Sequence, residues 1–466
     1  MKVSRLFVAA VAMMIALSAQ AIETRFNTTG SWTNAANWSA GVPGATDLAR
    51  LQNPAAADIT SAEVIGGLNF RGDTVLGTSI ININSGGSLT SDGTQFAGVN
   101  RVGSDGDATL NINDGGAASF SGTSFFEVGE NSGDAGYVNV NSGGALTVSQ
   151  ATKLGADAAC VGAVTINGGT ATFNNNLAIG FSAGSTGQVT LNSGVVNVSG
   201  GQIRMADDNA TAVGTFTMAG GTLNHTGSDV LVARKGTATF TQSGGTINGA
   251  GFILGNMAGG NGTMNVSGGS NSLSGSITLG RVDGATGTLN MSGGFMDASS
   301  LLVGNEAGSD GTFTLTGKDT YVKVGTLSMG AAGADVNSMI VVNDGLLQFS
   351  ALVADGNSAN ESFAMSGGVL QMRHLTSPDI VNEIDALITA GVFTWSIAAE
   401  DSLAATYDVA DATRTWVNGD GVTLYANESG TNYSFIWAEA IPEPATVGMM
   451  GIGALITLMV RRIRRV

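Results

Sequence analysis

Gly287-Thr288-Leu289-Asn290-Met291-Ser292-Gly293-Gly294 is the phrase on which the reading of the whole chain turns. Leu289 and Met291 alternate with Asn290, so two apolar side chains point to one side of an extended segment and the Asn points to the other. A glycine pair then turns the chain. The phrase recurs as Ile81-Asn82-Ile83 before Gly86-Gly87, Leu110-Asn111-Ile112 before Gly115-Gly116, Val138-Asn139-Val140 before Gly143-Gly144 and Val164-Thr165-Ile166 before Gly168-Gly169. Further instances are Val189-Thr190-Leu191, Phe216-Thr217-Met218, Ala238-Thr239-Phe240, Met264-Asn265-Val266, Phe313-Thr314-Leu315, Ile340-Val341-Val342 and Phe363-Ala364-Met365. The leading glycines, from Gly86 to Gly367, lie 22 to 29 residues apart, a period that belongs to stacked repeats.

A second phrase follows each glycine turn at about half a period: Leu177-Ala178-Ile179-Gly180, Phe252-Ile253-Leu254-Gly255, Ile277-Thr278-Leu279-Gly280, Leu301-Leu302-Val303-Gly304. A third short strand lies between them in several repeats, as in Ala145-Leu146-Thr147-Val148. Three strands and three turns per period describe an all-β fold, a right-handed parallel β-helix (β-solenoid) of about twelve coils over residues 76–370. One coil is too small to bury its apolar residues alone, whereas stacking closes a continuous core. The polar positions Asn82, Asn111, Asn139, Thr165, Thr190, Thr217, Thr239, Asn265, Asn290 and Thr314 are expected to form an outward ladder.

Composition excludes several classes. With Gly 70, Pro 5 and 43% hydrophobic residues the chain resembles neither collagen nor a disordered polymer. Thirty-six acids face nineteen bases, for a formal charge of −17, so nucleic acid is not an expected partner. A single cysteine, Cys160, rules out an internal disulfide and a Cys-based metal cluster.

The chain ends carry signals of their own. Residues 1–21 have Lys2 and Arg5, an apolar run from Leu6 to Leu17 and Ala19-Gln20-Ala21, the layout of a secretory signal peptide cut by signal peptidase at the Ala19/Ala21 site. Residues 22–75 read as an N-terminal cap with Trp32 and Trp38 in its core, since a solenoid must cover its last exposed coil. Residues 371–440 read as a closing module: a short helix from Ser377-Pro378 to Gly391, then strand-like stretches at Val392–Ile397, Thr415–Val417, Gly421–Tyr425 and Tyr433–Trp437.

Residues 441–466 run Ile441-Pro442-Glu443-Pro444, then an apolar stretch from Val447 to Val460, then Arg461, Arg462, Arg464 and Arg465 around Ile463. The stretch is expected to form a hydrophobic helix held at the cytoplasmic face by those arginines. The three parts in this order resemble the PEP-CTERM sorting signal. The resemblance implies export across the inner membrane of a Gram-negative bacterium, transient anchoring by the tail helix, and processing by an exosortase near Pro442-Glu443-Pro444 that leaves the ectodomain at the surface or outside the cell. The repeats, through phrases such as Gly287–Gly294, resemble the autotransporter-associated β-strand repeats of adhesin passenger domains.

No catalytic constellation stands out. Asp207-Asp208, Asp105 with Asp107, and Arg204, Arg234, Lys235 and Arg281 are the nearest approach to the carboxylate and base sets of polysaccharide lyases and hydrolases, which also use β-helices. His225 and His374 stand far apart, with no nucleophile motif near either. Acidic loops at 103–107, 131–134, 207–209 and 305–311 serve as turns, with calcium as the alternative reading. The sequence therefore predicts a non-enzymatic structural or adhesive surface protein without a cofactor, with exopolysaccharide or other surface proteins as partners. A glycan-active enzyme and a calcium-binding repeat module are the alternatives.

Overall fold

In the computed structural model, residues 21–51, 55–72, 77–330, 336–354, 360–373, 380–399, 401–404, 407–427 and 433–439 are described. They form an all-β parallel solenoid of about 13 turns. Each coil lays one strand on each of three faces. Val161–Phe173 shows how: residues 161–166 lie on face one, Gly168-Gly169 turn the chain, residues 170–173 lie on face two, and Leu177–Ile179 follow on face three. The next coil repeats this in register, so that Val164 pairs with Val189, Ala171 with Val196 and Leu177 with Ile203.

Period-two alternation turns Ile81 and Ile83, Leu110 and Ile112, and Val138 and Val140 inward, where all six are fully buried. Aromatic rings interleave with these aliphatic columns. Phe240 stacks on Phe216 at 4.8 Å between centroids and meets the edge of Phe252 at 5.4 Å. Most coils place glycine where face three ends. Gly180 and Gly255 have φ of 75° and 70°, and a Cβ on Gly255 would stand 2.3 Å from the Thr286 carbonyl oxygen. This is why most coils close the second phrase on Gly, although Ala206 and Ala233 take the same place with φ of 48° and 64°.

Outward side chains stack as well. Asn111 Nδ2 donates to Asn82 Oδ1 at 2.9 Å, Asn139 Nδ2 donates to Asn111 Oδ1 at 2.9 Å, and Asn82 Nδ2 extends the ladder to Asp58 Oδ1 at 3.0 Å. The ladder continues through Thr165, Thr190 and Thr217 to Thr241, not to Thr239. Thr239 pairs with Thr215 and Thr263 in the neighbouring outward column. The run Thr237–Gln242 alternates without a break, and the buried polar Gln242 occupies the inward place that Met218 and Val266 fill in adjacent coils.

Parallel stacking begins before residue 76. Glu23–Phe26, Leu48–Leu51 and Gly67–Phe70 are the first face-three strands, and Ala56–Ile59 pairs with the face-one strand Ser79–Ile83. The segment read as a separate cap is thus solenoid in its own right. Its outermost edge is closed by residues 37–39, where the Ser39 N–H donates to the Arg25 carbonyl at 2.9 Å. Trp32 and Trp38 are buried against Phe26, with Trp38 centroids 4.7 Å from Trp32 and 4.9 Å from Phe26.

The other end closes each face differently. Tyr433–Ala438 pairs antiparallel with Val369–Arg373 and so ends face two. Arg414–Val417 and Thr423–Asn427 complete a meander with it. Helix Ile380–Thr389 occupies the place of the next face-three strand, packs on Ala351–Ala354, and buries Ile384 and Leu387. Face one ends at Phe393–Trp395. The Ser377-Pro378 start of that helix, residues 1–20 and the tail from 440 lie outside the described residues.

Because each coil leans only on its neighbours, a core cavity is felt locally. Phe240→Ala is predicted to cost about 3–5 kcal/mol. Denaturant titration checks the size, and hydrogen exchange should show the lost protection concentrated in the strands flanking residue 240.

Candidate functional site

In-register stacking sets equivalent outward residues about 4.8 Å apart. A repeated charge would repel itself over that distance. On face three the outward column runs Arg25, Arg50, Asn69, Arg101, Glu127, Lys153. A neutral amide separates Arg50 from Arg101, and a carboxylate separates Arg101 from Lys153. Arg101 lies 3.1 Å from Glu127 and 2.7 Å from Glu130, while Lys153 Nζ is 3.8 Å from Glu127. Lys153 also sits 3.6 Å above the Phe125 ring and 4.2 Å from that of Phe181, within the range of cation–π contact. Arg50 pairs with Glu23 at 2.7 Å and Arg71 with Asp105 at 2.5 Å. Burial, followed by the Arg71 charge, lowers the Arg50 pKa, and burial raises that of Glu130. Asn69 is fully buried, and neither of its amide atoms has a hydrogen-bond partner.

This concentration of bases is marked for an acidic chain. Thirteen Lys and Arg occur between residues 22 and 444. Nine of them, Arg25, Arg50, Arg71, Arg101, Lys153, Arg204, Arg234, Lys235 and Arg281, lie on face three or within three residues of the end of one of its strands. Beyond Lys153 the column changes to Ala178, Arg204, Leu231, Ile253, Thr278 and Leu302. The charged half of the face is the N-terminal half.

Most of the residues read as a possible enzyme centre are tied to neighbouring coils, while Arg204 is held within its own. Asp207 is buried and accepts from Arg234 at 2.9 Å, and Asp208 pairs with Lys235 at 3.4 Å. Arg204 donates to Gln202 at 3.0 Å and Arg281 to Asn256 at 2.9 Å. The acidic loops staple coils in the same way. Asn131 donates to Asp105 at 2.5 Å, Ser104 to Glu130 at 2.6 Å, and the Ala135 N–H to Asp107 at 2.9 Å. Among the described residues no three His, Cys, Asp or Glu side chains converge as a metal would require. Asp134 is buried, and burial raises its carboxyl pKa despite backbone N–H bonds from Gly106 and Asp105.

One carboxylate pairing escaped the sequence reading. A groove of about 600 Å³ on face one passes Asp310, Asn337, Ser338 and Glu361, the acids standing two coils apart. Both occupy strand starts, where a sequence gives no reason to associate them.

His225 ends the face-two strand Thr222–His225 and points inward between Val198 and Gly249. It is buried, neither ring nitrogen has a hydrogen-bond partner, and burial pushes its pKa down to about 4. His374 lies outside the described residues. Cys160 is also buried, its thiol donating to the Asp157 carbonyl at 2.9 Å, and burial pushes its pKa up to about 11. Neither group is placed for acid–base or nucleophilic work.

Two expectations follow. Cys160 is predicted to resist iodoacetamide in the native protein at pH 8 and to label fully in denaturant. Below the ordinary histidine pKa the unfolded chain takes up a proton that native His225 refuses, so His225 makes stability fall as pH drops from 6.5 toward 4. The loss levels off at about 3 kcal/mol. His225→Leu is predicted to remove that part of the pH dependence, read by denaturation at pH 4.5 and pH 7.5.

Residues 440–465 match the family model of the PEP-CTERM protein-sorting motif. Pro442, Glu443, Pro444, Arg461, Arg462, Arg464 and Arg465 all fall within that match and outside the described residues; Ala19 also lies outside the described residues, and Ala21 is the first described residue and is exposed. Comparisons with curated proteins and with solved structures gave no match. The chain is a parallel β-solenoid that carries a PEP-CTERM protein-sorting motif, the mark of an exported protein processed by an exosortase.

Proposed function

We infer that the solenoid is a non-enzymatic structural and adhesive rod of the bacterial surface or extracellular matrix, delivered there by its sorting tail and active by display. The observation that carries this reading is the joining of the sorting motif to a solenoid closed at both ends, whose charged side chains bond to adjacent coils. The likeness of the repeats to those of adhesin passenger domains supports it, as do the regular outward Asn and Thr columns, over which many weak contacts add up. Between residues 22 and 444, thirteen bases face thirty-six acids, a formal charge of −23 that disfavours a polyanionic matrix polymer. Gathering nine of the bases along face three gives such a polymer a strip where the repulsion is locally offset. Signal peptidase and exosortase are the processing partners in this reading, and exopolysaccharide the ligand. No cofactor enters it.

A panel of bacterial exopolysaccharides, incubated with purified residues 22–440 and scored for binding and for product release, tests the reading. Salt-sensitive binding without turnover is expected, weakened by Arg101→Gln together with Lys153→Gln. Release of oligosaccharide would overturn the non-enzymatic reading and direct attention to Asp310 and Glu361. A melting midpoint that rises with calcium would assign the acidic loops to that ion instead.

A further inference from the structure

The chain leaves the folded rod at a clamped point. Glu439, the last described residue, donates its N–H to the Thr423 carbonyl at 2.8 Å, accepts the Ala398 N–H at its own carbonyl at 2.6 Å, and accepts the Thr423 N–H at its carboxylate at 3.1 Å. Pro442 follows three residues later. An extended chain covers at most about 3.6 Å per residue, so Pro442 stays within roughly 11 Å of Glu439, and Val447, where the apolar stretch starts, within roughly 29 Å. A protein that holds Pro442-Glu443-Pro444 in a cleft therefore meets the end of the rod.

Two aliphatic residues near that exit are exposed. Val417, the cross-strand partner of Thr423, is 64% exposed, and Ile397, next to Ala398, is 41% exposed. The two segments are held together, since Asn418 Nδ2 donates to the Trp395 carbonyl at 2.7 Å and Trp395 Nε1 donates to the Val422 carbonyl at 2.9 Å. Two bare aliphatic side chains thus flank the point from which the sorting tail departs. Among the described residues from 393 to 439, five acids, Asp401, Asp408, Asp411, Asp420 and Glu439, are balanced by one base, Arg414. That charge balance opposes an anionic lipid surface and favours a protein.

We propose that Ile397 and Val417 form a docking surface for the exosortase, so that the folded closing module takes part in presenting the motif. The proposal rests on the reading that the tail is processed. It casts the module as a recognition element as well as a cover for the last coil, and it makes processing sensitive to whether that module is folded.

The test follows processing of the full chain by pulse-chase in cells that produce an exosortase. Ile397→Glu with Val417→Glu is expected to slow conversion about fivefold or more. A ten-residue Gly/Ser insertion after Glu439, which uncouples the motif from the rod, is expected to slow it comparably, with no further loss when the two changes are combined. Conversion of I397E/V417E at the wild-type rate would overturn the proposal. Should that pair lower the melting temperature of the ectodomain, Ile397→Ser with Val417→Thr carries the same comparison. Flotation of the wild-type ectodomain, but not the variant, with phosphatidylglycerol vesicles would also overturn it, by giving the patch to lipid. A wild-type chain that is never converted would sink the sorting reading and the docking surface with it. A converted wild type with an unaffected variant would sink the docking surface alone.

Discussion

Every feature of this molecule answers to one constraint, the in-register parallel stacking of coils about 4.8 Å apart. The constraint rewards residues that gain from standing beside their own kind. Buried aliphatic and aromatic side chains do so by packing, and Asn does so because its amide donates to the copy on one side and accepts from the copy on the other, as in Asp58–Asn82–Asn111–Asn139. It penalises repeated charge. From Arg50 to Lys153 the face-three column therefore inserts Asn69 and Glu127 between its cations, the adjacent Arg25 and Arg50 share Glu23, and carboxylates in the loops find bases or amides one coil away.

The same constraint explains the two ends. An open solenoid end presents unpaired backbone groups that would template another strand. Residues 37–39 with the Phe26, Trp32 and Trp38 cluster close one end, and an antiparallel strand with a helix closes the other. The second closure includes Glu439, bonded to Thr423 and three residues before Pro442 of the sorting motif. Structure and export meet there.

Much of this was legible in the sequence, and the reasons differ by element. The glycine turns marked the period because Gly adopts positive φ and accepts a close carbonyl, as at Gly255, with little strain. The coils before residue 76 went unseen because Thr60-Ser61 joins face one to face two where later coils have a glycine pair, and Gly66-Gly67 leads into face three instead. The phase of the ladder slipped at Thr239 because Thr237–Gln242 alternates evenly and puts a polar Gln242 in the core. The segregation of bases onto face three was illegible for a physical reason. Its members are single residues on short strands or in the loops just after them, and several, such as Arg50, Arg71, Arg101 and Arg234, find their partners a full coil away. Pro442-Glu443-Pro444 was readable directly, since a sorting motif is recognised as a short linear string.

The most direct test of the account is the intact mass of the protein recovered from outside exosortase-positive cells. The account predicts a form that starts at Ile22 and ends before Val447, absent when the Pro442-Glu443-Pro444 motif is replaced. Full-length chain retained in the inner-membrane fraction, with no shortened form outside, would contradict it.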